Sequence, residues 1–127
     1  MFINLSNHPS ERWSQEQYAA AAHYGKVIDI PFPQIAPEWS AEEVECAAEK
    51  CVEQVRAAAE SAHVPMCDLT VMVSGEFTCT FHLVLLLKER RCRTVAACTA
   101  RKADEVINSD GSITKTSTFR FVQFREY

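Results

Sequence analysis

Directly after the apolar residues Met1-Phe2-Ile3 the chain reads Asn4-Leu5-Ser6-Asn7-His8-Pro9-Ser10. Ser6, Asn7 and Ser10 offer hydrogen-bonding groups, and His8 offers an imidazole that can donate or accept. Such a set can hold an anion or a base. It can equally be the turn between a strand and a helix, because Asn, Ser and Pro are turn formers. A second run, Ser74-Gly75-Glu76-Phe77-Thr78, has the form of a loop that opens a helix, where free N–H groups favour phosphate. Glycine at 75 would let the backbone approach a ligand closely. A third run, Thr99-Ala100-Arg101-Lys102, supplies a guanidinium suited to phosphate oxygens. Phe77 or Trp13 can stack on a base. Each group also has an ordinary reading: His8 as a loop residue before proline, Glu76 as an ion-pair partner of Arg101, and Arg101-Lys102 as a solvated loop.

The elements that must position these runs follow from hydrophobic pattern and punctuation. Residues 1–5 read as a buried strand. Ser14-x-x-Gln17 fits a capping box, and a helix follows to about Tyr24, where Gly25 stops it. Residues 26–30 form a second strand. Pro31, Pro33 and Pro37 make a stiff, extended connector. Ser40-Ala41-Glu42-Glu43 is a second capping box, and Val44, Ala48, Cys51, Val52, Val55, Ala59 and Ala62 recur as one apolar helical stripe. A third strand spans 68–74 and a third helix 77–90. The helix is apolar nearly all round between Phe81 and Leu87, so it is expected to be covered by the sheet on one side and by a second subunit on the other. Residues 92–99 form a fourth strand. Residues 105–108 and 112–115 flank the hairpin signal Ser109-Asp110-Gly111, and 118–124 continue as a strand. Alternating strands and helices predict an α/β fold, a Rossmann-like parallel sheet with helices on both faces and a C-terminal β-hairpin extension. In a 2-1-3-4 strand order the ligand site falls outside the carboxyl ends of strands one and three. The Ser6–Ser10 and Ser74–Thr78 loops then face each other, with Thr99 and Arg101 nearby.

Composition narrows the function classes. At 127 residues, 47% apolar and 24% charged, the chain 1–127 is one globular domain. Six cysteines lack any C-x-x-C pair and four histidines sit singly, so no metal, no disulfide framework and no cofactor is expected. A thiol redox role is disfavoured. The longest apolar run is too short for a bilayer and no signal-peptide pattern opens the chain, so the expectation is cytoplasmic. Residues 1–63 carry ten acids against four bases, and 64–127 carry seven against nine. Long nucleic acid needs a broad basic surface, which this balance does not provide. A small anion at one basic spot fits better. No G-x-G-x-x-G or P-loop is present.

"INLSNHPS" with Trp13 and Gln17, "YG" at Tyr24-Gly25, "IPFPQIAP", "GEFT" at 75–78 and the ending "FVQFREY" together resemble a small family of CRISPR-associated proteins, similar to the CARF-type Rossmann sensors of type III systems. The resemblance implies binding of a cyclic oligoadenylate, most often cyclic tetra-adenylate, and a homodimer whose two-fold matches the ring. Some such proteins degrade the messenger as ring nucleases, and others only sequester it. The resemblance carries over the Ser6–Ser10 and Gly75–Thr78 loops with Thr99 and Arg101, and the strand-end argument adds Ser74, so the candidate ligand-binding set is Ser6, Asn7, His8, Ser10, Ser74, Gly75, Glu76, Phe77, Thr78, Thr99 and Arg101. For metal-independent cleavage by the ribose 2′-OH, His8 is the candidate base or acid, Glu76 the alternative base, and Arg101 the stabiliser of the phosphorane. The competing readings are a non-catalytic sink and a protein-interaction module docking through the acidic helix 40–62. No membrane partner is expected.

Overall fold

The computed structural model describes residues 1–127. Five strands form one sheet: β1 (Phe2–Ser6), β2 (Val27–Pro31), β3 (Thr70–Ser74), β4 (Arg93–Ile107) and β5 (Ile113–Glu126). Their order is β2-β1-β3-β4-β5. The first four are parallel, and β5 returns antiparallel to β4. The helices are α1 (Gln15–Ala22), α2 (Ala41–Ser61) and α3 (Phe77–Glu89). The α/β architecture with a C-terminal hairpin is therefore as the sequence pattern implies. No helix is long and apolar enough to cross a membrane.

The central strands are buried on both faces, so their apolar residues need no alternation. Ile3, Leu5, Val71 and Val73 join Val44, Ala48, Cys51, Val52, Val55 and Ala59 of α2 and Cys79, Leu83 and Leu87 of α3 in the main core. The opposite face is thinner: Phe2, Met72 and Val95 pack under Ala21 of α1 with Trp13, Tyr24 and Phe124. Truncating a fully buried side chain such as Leu83 to alanine would cost about 2–5 kcal/mol.

The punctuation behaves largely as its chemistry dictates. Ser40 and Glu43 form the reciprocal capping box, with Ser40 N donating to Glu43 Oε2 at 2.7 Å. Ser14 Oγ accepts from Gln17 N. Gly25 sits at φ +114°, just past α1. Gly111, at φ +85°, closes the hairpin turn.

Two expectations need correction, and two further features of the fold follow them. The α2 stripe ends at Ala59, because Ala62 is its exposed C-cap. The fourth strand does not stop at 99: β4 runs to Ile107, paired with β5 from Val95↔Glu126 to Ile107↔Ile113, with one bulge beside Cys98/Thr99. Arg101 and Lys102 are therefore strand residues, not loop residues. Within this chain α3 is covered on one side only. Phe77, Phe81 and Leu85, four residues apart on the other side, are 90%, 61% and 46% exposed. Phe32 of the proline-rich connector is a core residue, 4% exposed.

Candidate functional site

The carboxyl end of β1 carries the polar run, and two side chains hidden from a simple motif search organise it. Asn4 and Ser6 alternate with Ile3 and Leu5, which places them on the α1 face of the sheet. Asn4 is 1% exposed and fully bonded. Its Nδ2 donates to the His8 carbonyl at 2.8 Å and to Asp29 Oδ1 at 2.7 Å, and its Oδ1 accepts from Ser6 Oγ at 2.7 Å. Ser6 Oγ in turn accepts from His8 N at 3.1 Å. Asp29 on β2 accepts from Ser10 N and from Ser10 Oγ, the latter at 2.9 Å. Trp13 Nε1 donates to the His8 carbonyl at 3.1 Å. The loop backbone is thus tied down at His8 and Ser10, while the Asn7 and His8 side chains stay exposed.

Those two side chains open onto a cavity of ≈ 710 Å³ on the α1 face, at the carboxyl edge of β1, β3 and β4. Met72, Ser74, Ala97 and Thr99 line it from β3 and β4. Arg12, Trp13, Glu16 and Gln17 line it from the segment that leads into α1. Phe119, Arg120 and Phe121 come from β5. The aromatic lining is continuous with the core beneath: Phe121 lies 4.9 Å from Phe124, Phe124 lies 4.9 Å from Phe2, and Phe2 meets Trp13 edge-on at 6.2 Å. The Arg12 guanidinium, one imidazole, small polar groups and flat aromatic surface can together hold a ligand that carries both phosphate and base.

Of the residues singled out from the sequence, Asn7, His8, Trp13, Ser74 and Thr99 meet at this cavity. Ser6 and Ser10 are turned into the loop's own hydrogen-bond network and act as positioning groups. The Gly75–Thr78 run leads elsewhere. A Cβ on Gly75 would lie 2.5 Å from three ring carbons of Phe32, so the space above this glycine belongs to the connector and not to a ligand. Glu76 is the N-cap of α3. It accepts from Cys79 N at 2.8 Å, from Thr78 Oγ1 at 2.7 Å and from Thr78 N at 3.1 Å. The same contacts, the Cys79 N–H first, hold its carboxyl below the usual carboxylate range. The helix N-terminus expected to receive phosphate is already occupied by this carboxylate. Phe77 and Thr78 line a separate apolar cleft with Trp39, Val44, Phe81 and His82. Arg101 does not pair with Glu76. It donates from Nε and Nη2 to Ser117 Oγ on the neighbouring strand, at 3.2 and 3.0 Å.

Sequence reasoning missed Arg12, Glu16, Phe119, Arg120 and Phe121. The bulge beside Cys98/Thr99 brings the β5 residues to the site, and a bulge leaves little trace in a single sequence. Arg12 gave a fairer signal, lying four residues beyond His8 in the same loop. A further cavity of ≈ 660 Å³ lies between the connector and α2, lined by Trp39, Glu42, Glu43 and Lys50 among others. Its paired carboxylates suit an anion poorly. The thiols stand apart from all of this: burial pushes Cys51, Cys79 and Cys92 up to about 11.

The chain matches the model of the Uncharacterized protein MJ1673 family over residues 1–125. It belongs to that family. No curated protein and no solved structure matches it. The family match covers the polar loop, the proline-rich connector and nearly all of the long hairpin, so every element that lines the cavity lies within the MJ1673 region of the chain.

Proposed function

We propose that the cavity between the Asn7–His8 loop and the β4–β5 hairpin binds a cyclic oligoadenylate, cyclic tetra-adenylate above all, and that a homodimer of this chain regulates type III CRISPR antiviral signalling by degrading it. The observation that carries this reading is the make-up of one cavity at the carboxyl edge of the sheet. There Arg12 accompanies Asn7 and His8, with Trp13, Phe119 and Phe121 beside them. Guanidinium groups suit phosphate oxygens, and aromatic faces suit bases. The resemblance of the sequence motifs to CRISPR-associated sensors supports the choice of ligand.

The reaction proposed is transesterification. The ribose O2′ attacks the adjacent phosphorus and the P–O5′ bond breaks. The proton leaves the 2′-hydroxyl and a proton arrives at O5′, giving a 2′,3′-cyclic phosphate and a 5′-hydroxyl with no water consumed. His8 takes or delivers the proton. Arg12 stabilises the charge that builds on the non-bridging oxygens. Glu76 and Arg101 are the weaker candidates, because both are engaged by Thr78, Cys79 and Ser117. That engagement favours the second reading, a sink that holds the ring intact.

The test is incubation with radiolabelled cyclic tetra-adenylate, followed by a native gel shift and a denaturing product assay. Binding with accumulation of linear product establishes the nuclease. Binding of intact ring establishes the sink. His8→Ala is expected to lower cleavage by about 10²–10⁴-fold with binding retained. Arg12→Ala is expected to weaken binding by about ten- to a hundredfold, the loss of one charge-assisted contact. Absence of binding to rings of any size sinks the proposal.

A further inference from the structure

The hairpin formed by β4 and β5 is longer than the sheet that carries it. β3 pairs with β4 only from Thr70↔Arg93 to Met72↔Val95, whereas the β4–β5 pairing runs on to Ile107↔Ile113. Every residue from 99 to 120 is exposed. This arm is a two-stranded ribbon, which alone in water is marginally stable at best. Its two faces differ. Paired residues in an antiparallel ladder share a face. Phe121, Phe119, Ile107 and Ile113 thus lie on one face, crossed by the Arg101–Ser117 contact and the Lys115–Glu105 bridge. The opposite face carries Thr114, Thr116, Thr118, Lys102, Asp104 and Arg120 around a single Val106. Phe119 is 70% and Ile107 77% exposed. A ribbon with one apolar face, reaching past its own sheet, is built to lie on something.

We propose that the arm lies on a second copy of this chain, with its Phe119–Ile107 face against the Phe77–Phe81–Leu85 ridge of α3 and Trp39. Three observations select that occupant. First, the ridge is uncovered apolar surface on the same chain, with Trp39, Phe77 and Phe81 already lining one cleft. Second, both surfaces sit at one edge of the molecule. β4 leaves the sheet at the carboxyl ends of the parallel strands, and α3 starts three residues after β3 ends at Ser74. A two-fold through that edge therefore makes the contact twice, arm to ridge and ridge to arm. Third, the charges complement. Residues 99–120 hold four bases against three acids, leaving nine against fourteen in the remainder. Glu42, Glu43 and Glu45 stand exposed at the start of α2, the helix packed beside α3. This assignment supplies the contact for the homodimer proposed above but does not depend on any nucleotide.

The experiment reads mass by light scattering on a sizing column, with no ligand present. The unaltered chain is expected at twice 14.3 kDa. Two variants, Phe119→Asp/Ile107→Asp on the arm and Phe81→Asp on the ridge, are each expected at the monomer mass with unchanged circular dichroism, since all three positions are exposed. Mixed in equal amounts, they are expected to recover the double mass. The ridge variant's intact arm then meets the arm variant's intact ridge. A monomeric unaltered chain overturns the proposal, and so does an arm variant that remains dimeric. A dimeric Phe81→Asp, or two monomers that fail to recover on mixing, would show that arms pack elsewhere and would overturn the arm–ridge contact.

Discussion

Gly75→Ala separates two explanations of the same glycine, close approach to a ligand or close approach to Phe32. An added Cβ would lie 2.5 Å from Cδ1, Cε1 and Cζ of the Phe32 ring. Carbon atoms in good contact stand about 3.5–4.0 Å apart, so the ring must retreat by about 1 Å. Phe32 is 4% exposed and belongs to the main core, which leaves it little room. Overpacking of this kind costs about 1–3 kcal/mol. Phe32→Ala alone should cost about 3–5 kcal/mol through its cavity. In the Phe32→Ala background the obstacle is gone and Gly75→Ala should cost almost nothing. The cycle therefore predicts a coupling of about 1–3 kcal/mol between the two positions. Urea unfolding followed by circular dichroism measures it, as a shift in midpoint at constant slope. Equal costs for Gly75→Ala in both backgrounds would refute the reasoning, because the cost would then come from the loop and not from the ring.

Asp29→Ala removes the acceptor shared by Asn4 Nδ2, Ser10 N and Ser10 Oγ. It should cost about 1–2 kcal/mol, the low end for bonds to a charged group given its exposure. It should also speed hydrogen exchange at His8 and Ser10, and unchanged exchange there would count against the network. Glu76 has a lowered pKa in the folded state, so its stabilising effect is present above the ordinary carboxylate value of 4.5 and is lost as pH falls through the lower folded value. Glu76→Gln should therefore be less stable than the parent near neutrality and lose less stability on acidification. Parallel Tm-versus-pH curves would contradict this. Thiol titration at about pH 7.5 should modify the exposed Cys46 and Cys67 quickly and leave Cys51, Cys79 and Cys92 intact until denaturant is added. Rapid reaction of five or six thiols would refute that placement.

The sheet was legible because its signals are local. Ser40 and Glu43 announce a helix start through a reciprocal pair, Gly25 announces a helix end, and the apolar runs at 71–73 and 95–97, each led by a threonine, announce buried parallel strands. The site was legible in part, because the strand order directs the Asn7–His8 loop and Ser74 to one edge. What misled were residues with two chemically sound uses. Glu76 can be a base or a cap, Gly75 can serve a ligand or a ring, and Arg101 can meet a phosphate or a neighbouring serine. Which use applies depends on partners distant in sequence, Phe32 for Gly75 and Ser117 for Arg101. Asn4 and Asp29 left a fainter mark, as polar residues inside otherwise apolar strands. A buried amide needs partners for both hydrogens and its oxygen, and that requirement alone points to a network at the strand's end.

That network gives the His8 backbone and the His8 side chain opposite roles. The carbonyl receives Asn4 Nδ2 at 2.8 Å and Trp13 Nε1 at 3.1 Å, and the amide donates to Ser6 Oγ, while the ring remains exposed beside Arg12 at the cavity. A group that contacts a ligand works best when neighbouring structure fixes its backbone and nothing else claims its side chain. The two roles can be separated by substitution. His8→Ala removes only the ring and should leave stability within about 0.5 kcal/mol, as for an ordinary surface change. Asn4→Leu keeps the bulk but leaves the His8 carbonyl and Asp29 each short of a donor and Ser6 short of an acceptor. It should cost about 1–3 kcal/mol and should displace the loop as well. If His8→Ala destabilised the fold as much as Asn4→Leu, the imidazole would be part of the loop's support and not a free group at the site.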